Sequence, residues 1–157
     1  MKLQFIAVGK AHEPYVKDGV EIFTKRICFY YNTEWQIIGA PKNNAALTES
    51  DLKKKEGEAI LNLLQKDDYV VLLEEMGKQM RSEELAKFIE QRANESIKKI
   101  VFLIGGAFGV SDDVMRRANY KWSLSNLVFP HQLVRLILAE QVYRACTIIK
   151  NEKYHHQ

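Results

Sequence analysis

The sequence predicts an α/β domain built around a mainly parallel sheet. Short apolar runs with strand character alternate along the whole chain with segments whose apolar residues recur at steps of three and four. Two of those runs, residues 69–73 and 100–104, are apolar throughout, as expected where helices cover both faces of a sheet. The second leads straight into Gly105-Gly106-Ala107-Phe108-Gly109, a glycine-rich turn at the carboxyl end of a strand. Open α/β sheets bind their ligands at that edge.

Each element has its own signal. Residues 2–8 read as a first strand closed by Gly9, and residues 13–30 as a helix with Pro14 in its first turn. Val16, Val20, Phe23, Ile27 and Tyr30 give that helix one apolar face. Residues 34–38 form a second strand, and residues 42–49, with Asn43-Asn44, a polar loop. Ser50 or Asp51 is placed to cap a helix running to about Gln65, with Leu52, Ala59, Ile60, Leu63 and Leu64 inward and Lys53-Lys54-Lys55 on the solvated side. Strand 69–73 ends by Gly77, a helix runs from Ser82 to about Ser96, and strand 100–104 follows. Ser111 caps a short helix to Ala118, residues 121–125 form a last strand, and Pro130 opens a long helix over residues 131–150. No repeat, low-complexity tract or linker interrupts the pattern, so residues 1–157 are expected to form one domain with a short tail, 151–157.

Composition narrows the class. Hydrophobic residues make up 46% and charged residues 27%, the balance of a water-soluble protein. A chain of this length buries roughly two-thirds of its unfolded surface, enough to fold without disulfides or a structural metal. Cys28 and Cys146 form no CxxC pair and are expected to be small core residues in a reducing, cytoplasmic setting. The longest apolar stretch, residues 133–149, is interrupted by Arg135, Glu140, Gln141 and Arg144, which excludes a membrane span. Net charge is only +3, but after Asp113 the chain carries Arg116, Arg117, Lys121, Arg135, Arg144, Lys150 and Lys153 against Glu140 and Glu152. Such a basic third suits a phosphate backbone, and equally a solvated face. The long last helix is apolar on most sides, which calls for a second subunit or a central position in the core.

Three segments lie where a ligand belongs: residues 73–77, 105–109 and 124–130. The glycine loop is neither the GxGxxG fingerprint nor a phosphate loop, since no GK[ST] follows. No serine sits in a nucleophile elbow, and Glu74-Glu75 alternate in direction along a strand, which disfavours paired-carboxylate catalysis. His12, His131, His155 and His156 show no metal-ligand spacing, and no metal is expected; His131 is in position to cap its helix. These residues define a nucleotide-like site and leave the reaction open.

The ordered motifs are more specific. Residues 101–109 (VFLIGGAFG), Trp122-Ser123-Leu124-Ser125, residues 129–135 (FPHQLVR), residues 140–145 (EQVYRA) and Tyr154-His155 resemble the RlmH family of bacterial 23S ribosomal RNA pseudouridine N3-methyltransferases. Residues 3–10 and Lys55-Glu56-Gly57 match as well, so the resemblance covers essentially the whole chain. It implies the SPOUT fold, an α/β domain with a C-terminal trefoil knot, which periodicity alone does not reveal. It implies S-adenosyl-L-methionine as methyl donor, held by Leu73, Gly105, Leu124, Ser125, Asn126, Leu127, Val128 and Phe129. It implies that the tail handles the base, with His155 and Tyr154 ordering or deprotonating it and Arg144 and Arg135 holding phosphate or orienting the tail; His131 is a weaker candidate. It also implies a homodimer that pairs one subunit's cofactor loops with the other's tail and acts on the assembled ribosome, not on DNA. Relatives often carry a basic residue after the Tyr-His pair, where this chain has His156-Gln157, so a terminal phosphate contact is weakened. The alternatives are a SPOUT enzyme acting on another ribosomal or transfer RNA nucleotide, and a non-catalytic ribosome-binding module.

Overall fold

The computed structural model describes residues 1–41 and 44–156; the expected loop at Lys42 and Asn43, and Gln157, lie outside the described residues. The elements are β1 (Lys2–Val8), α1 (Pro14–Ile27), β2 (Asn32–Ile38), α2 (Glu49–Leu63), β3 (Tyr69–Lys78), α3 (Ser82–Asn94), β4 (Lys99–Ile104), α4 (Asp112–Arg117), β5 (Tyr120–Trp122) and α5 (His131–Ile149). A single 3-10 turn, Asn44–Ala46, precedes α2. The five strands form one sheet in the order β2-β1-β4-β3-β5, and every pairing is parallel.

Strand alternation divides the core. Leu3, Phe5, Ala7, Val71, Ile100, Phe102 and Ile104 face one side, packed with Ile27, Leu85, Ile89, Leu138 and Val142 of α1, α3 and α5. Ile6, Val8, Val70, Leu72, Val101 and Leu103 face the other, against Ile60 of α2 and Val114 of α4. Each of the Val, Leu, Ile and Phe side chains among them contributes about 1.5–3 kcal/mol on full burial, which holds the helices against both faces of the sheet. Both faces being covered explains why β3 and β4 read as continuous apolar runs.

Several boundaries differ from expectation for local reasons. Thr48, not Ser50 or Asp51, caps α2, its hydroxyl accepting from Asp51 N–H at 3.1 Å. Leu63 is exposed, because the helix ends there. Strand β3 runs on past Leu73: residues 74–77 bulge out and Lys78 rejoins Trp122, with Gly77 lying within the strand against the Lys121 backbone. Strand β5 stops at Trp122, so 123–130 is loop. Cys146 is buried, with burial pushing its thiol up to about 12, but Cys28 is exposed at the end of α1.

Helix α5 packs on α1 and α3. Its inward side carries Arg135, Leu138, Ala139, Val142, Ala145 and Cys146, while Leu133, Leu136, Ile137, Ile148 and Ile149 stay half-buried. Beside it, Tyr15, Ile22 and Phe29 are exposed at steps of seven residues. The apolar excess seen in the sequence of α5 is thus only partly covered by its own chain.

Candidate active site

The carboxyl ends of β3, β4 and β5 enclose a cavity of about 560 Å³, within the roughly 300–1,000 Å³ usual for small-ligand sites. Its walls come from Leu72 to Glu75 after β3, from Ile104 to Val110 after β4, and from the loop after β5. The glycine loop is a tight turn: Gly109 N–H donates to the Gly106 carbonyl at 3.0 Å, and Gly109 holds φ at +82°, a conformation that side chains rarely adopt. Gly106 lies tight for a different reason, since a Cβ there would lie 2.6 Å from Glu56 Oε1 and the buried Glu56 side chain would have to shift. Glu56 approaches the loop from α2, and burial holds its carboxyl above the ordinary range.

The loop after β5 is shaped by its serines. Ser123 Oγ donates to the Ser125 carbonyl and Ser125 Oγ accepts from Leu127 N–H, both at 3.0 Å. Ser123 N–H donates to the Lys78 carbonyl, which fastens the loop to β3. Of the residues expected to hold a cofactor, Leu73, Gly105, Leu124, Ser125, Leu127, Val128 and Phe129 line the cavity. Asn126 does not: its side chain is exposed and accepts from Gln79 Nε2 at 2.5 Å. His131 also lines the cavity; as the first residue of α5 it makes no capping bond, Pro130 holding the cap position. Phe108, Leu127 and Val128 are half or more exposed and give the mouth an apolar lip.

A second group of side chains gathers at the tail. Glu140 Oε1 accepts from Arg144 Nε at 3.0 Å, Arg144 Nη2 at 2.5 Å and Tyr154 Oη at 3.1 Å. The Arg144 guanidinium lies 4.7 Å from the centre of the Tyr154 ring, which meets Tyr143 edge-on. His155 sits between Arg144 Nη1, 3.3 Å from Nδ1, and Glu83 Oε1, 3.0 Å from Nε2. Burial, and next the Glu140 carboxylate, push the Tyr154 hydroxyl above the ordinary phenol range, so it stays a donor. The His155 contact, foremost, holds the Glu83 carboxyl below its ordinary range. Arg144, Tyr154 and His155 are therefore brought together, but none of them lines the cavity. Val134, the last cavity residue on α5, and Arg144 are separated along the helix by about 15 Å of axial rise.

Arg135 is corrected. It is 2% exposed, and Nη1 donates to the Lys10 carbonyl at 2.8 Å and meets His12 Nδ1 at 3.3 Å. It braces the β1–α1 loop from within, and its partners lie in that loop and not in the tail. Other arginines of the basic third also have partners: Arg117 donates to the Gln65 and Asp68 carbonyls, and Arg116 pairs with Asp113 at the exposed surface. Lys121, Lys150 and Lys153 remain exposed.

Sequence reasoning assigned no role to Glu56, Glu83 or Glu140. Glu56 was detectable, since Leu52, Glu56 and Ile60 share the inward spacing of α2 and a carboxylate there is anomalous. Glu83 carries no local signal, because its partner is a residue of the tail. Among the described residues no helix is long and apolar enough to cross a membrane, and no group of three or more His, Cys, Asp or Glu is arranged to hold a metal.

A parallel sheet whose carboxyl edge holds a cavity walled by a glycine loop and the loop ahead of a long final helix is the arrangement in which open α/β proteins place a ligand. The family model described as "Predicted SPOUT methyltransferase" matches residues 1–155, and the chain belongs to that family. Similar curated proteins are named ribosomal RNA large subunit methyltransferase H. That of Cytophaga hutchinsonii is 46% identical, covering 99% of this chain and 100% of its own length. That of Christiangramia forsetii is 43% identical over the full length of both, and that of Bacillus pumilus 44% identical over 99% of each. This chain is accordingly a methyltransferase of the SPOUT family, a class that requires a methyl donor.

Proposed function

We propose that this chain transfers a methyl group from S-adenosylmethionine to N3 of a pseudouridine in large-subunit (23S) ribosomal RNA, on the assembled ribosome, as a cytoplasmic homodimer of one-domain subunits. The relatives' shared name supports the RNA class. The observation that carries the rest is the separation of the site into two parts, a cavity at the start of α5 and a polar cluster past its middle.

The cavity suits this donor. Apolar walls from Leu73, Leu124 and Phe129 accept a purine ring, loop backbone groups read its edge, and the Glu74 and Glu75 carboxylates complement its positive charge. When bound, S-adenosylmethionine supplies a methyl group already activated for transfer. The chain's own residues then have to position the base and accept the N3 proton. His155 is the acceptor on this reading, with Tyr154 donating to the base and Arg144 anchoring both. Productive transfer requires reacting atoms about 3–3.5 Å apart. A second copy, whose tail reaches the cavity, closes the gap that one chain leaves. The exposed Tyr15, Ile22 and Phe29 beside the half-buried side of α5 supply an apolar face for that copy. The trefoil knot belongs to the same reading, as the C-terminal segment of a SPOUT chain.

The test is transfer of labelled methyl from S-adenosylmethionine to ribosomes lacking the modification, with the label mapped by mass. Label on N3 of one 23S pseudouridine is expected. Intact cofactor binding with label only on transfer RNA would reject the substrate and keep the cofactor.

A further inference from the structure

His155 is held from two sides by groups of opposite capability. The Arg144 guanidinium, 3.3 Å from Nδ1, only donates, and the ionised Glu83 carboxylate, 3.0 Å from Nε2, only accepts. One neutral tautomer satisfies both, with the proton on Nε2 and the lone pair on Nδ1. Glu83 comes from the first turn of α3, Arg144 from α5, so two separate elements impose the same choice. The other charged groups nearby are Arg81, 3.6 Å from Glu83, and Glu140 behind Arg144.

On the reading of His155 as the group that accepts the base proton, we propose that Glu83 is a positioning residue that fixes this tautomer, making Nδ1 the accepting atom and Arg144 Nη1 its resting partner. The other edge of Arg144 is tied to Glu140 through Nε and Nη2, so the planar guanidinium stays fixed, and it is the His155 ring, turning about its Nε2–H contact with Glu83, that frees Nδ1 from Nη1. The N3 proton then passes to Nδ1, and the N3 electron pair forms the bond to the methyl carbon. The pair that joined methyl to sulfur stays on sulfur. The imidazolium left behind keeps its Nε2–H against the Glu83 carboxylate, which compensates the new charge.

The tautomer is read by nitrogen NMR of histidine-labelled full-length dimer, with His155→Ala assigning the signals. Wild type is expected to show a protonated Nε2 and an unprotonated Nδ1 in the neutral ring. Glu83→Ala is expected to average the two nitrogens and to lower kcat about tenfold at unchanged KM for S-adenosylmethionine. Glu83→Gln, whose amide oxygen still accepts, is expected to restore the tautomer and part of the rate. A Glu83→Ala protein that keeps the Nε2–H signature overturns the proposal, whether or not kcat falls. A fully active His155→Ala protein overturns instead the reading of the tail on which the proposal rests.

Discussion

At the carboxyl edge of the sheet the cavity is walled by Leu73, Gly105, Leu124 and Phe129, whereas the tail cluster is made of Glu83, Glu140, Arg144, Tyr154 and His155. The first is backbone and apolar surface fixed by strand ends. The second is a side-chain network on the outside of two helices, without a strand in it. On the proposed function the difference separates two tasks: a preformed cavity for a ligand whose chemistry is already activated, and titratable groups on a short tail for the base. Binding and turnover should therefore respond to different substitutions.

The largest effects should fall on turnover. His155→Ala or Arg144→Ala is expected to lower kcat on ribosomes by roughly 10²–10⁴-fold, with cofactor affinity by calorimetry unchanged. Equal loss of affinity would merge the two regions. Arg135, on the same helix as Arg144, sharpens the contrast. Arg135→Ala removes a buried guanidinium and strands the Lys10 carbonyl, so unfolding in urea should show a loss of about 3 kcal/mol. Arg144→Ala, whose side chain is 24% exposed and whose partners are side chains at the surface, should cost less stability.

On the cavity side, Gly106→Val drives a side chain into Glu56. Overpacking of about 1–3 kcal/mol would weaken S-adenosylmethionine binding by roughly tenfold to hundredfold, while the tail variants' defect stays as it was. Glu56 itself gives the smallest effect, and one that depends on pH. Its carboxyl is held above the ordinary range by burial, so the native state binds that proton more tightly than the unfolded chain. That contribution is fully present below the unfolded carboxylate range and is lost as pH rises through the folded value. Glu56→Gln stays neutral, so its Tm should exceed wild type near neutral pH, with the gap closing on acidification. A gap independent of pH would reject desolvation as the cause.

The two regions were also unequally legible in the sequence. Period and turn signals placed the sheet and helices, because a strand buried on both faces must be apolar and a glycine loop marks its end. They placed the cavity segments for the same reason. Nothing local marks the tail: Tyr154 and His155 acquire meaning only through Glu140, Arg144 and Glu83, and only the family resemblance pointed to them. Arg135 misled for a related reason, since an arginine in a helix reads as a surface charge unless the carbonyl that holds it is known. The direction of Asn126 was not legible either, because a loop residue's direction is set by partners such as Gln79, not by its neighbours in sequence.

Complementation between two inactive chains tests most directly the claim that the regions meet only across subunits. Gly105→Trp fills the cavity, and His155→Ala disables the tail; each homodimer should be inactive. A heterodimer isolated through two different tags carries one cavity and one tail that are both intact and on different chains. It is expected to methylate ribosomes at about half the wild-type rate, one of two symmetric sites being whole. A heterodimer as inactive as its parents would contradict the account and return the whole site to a single chain.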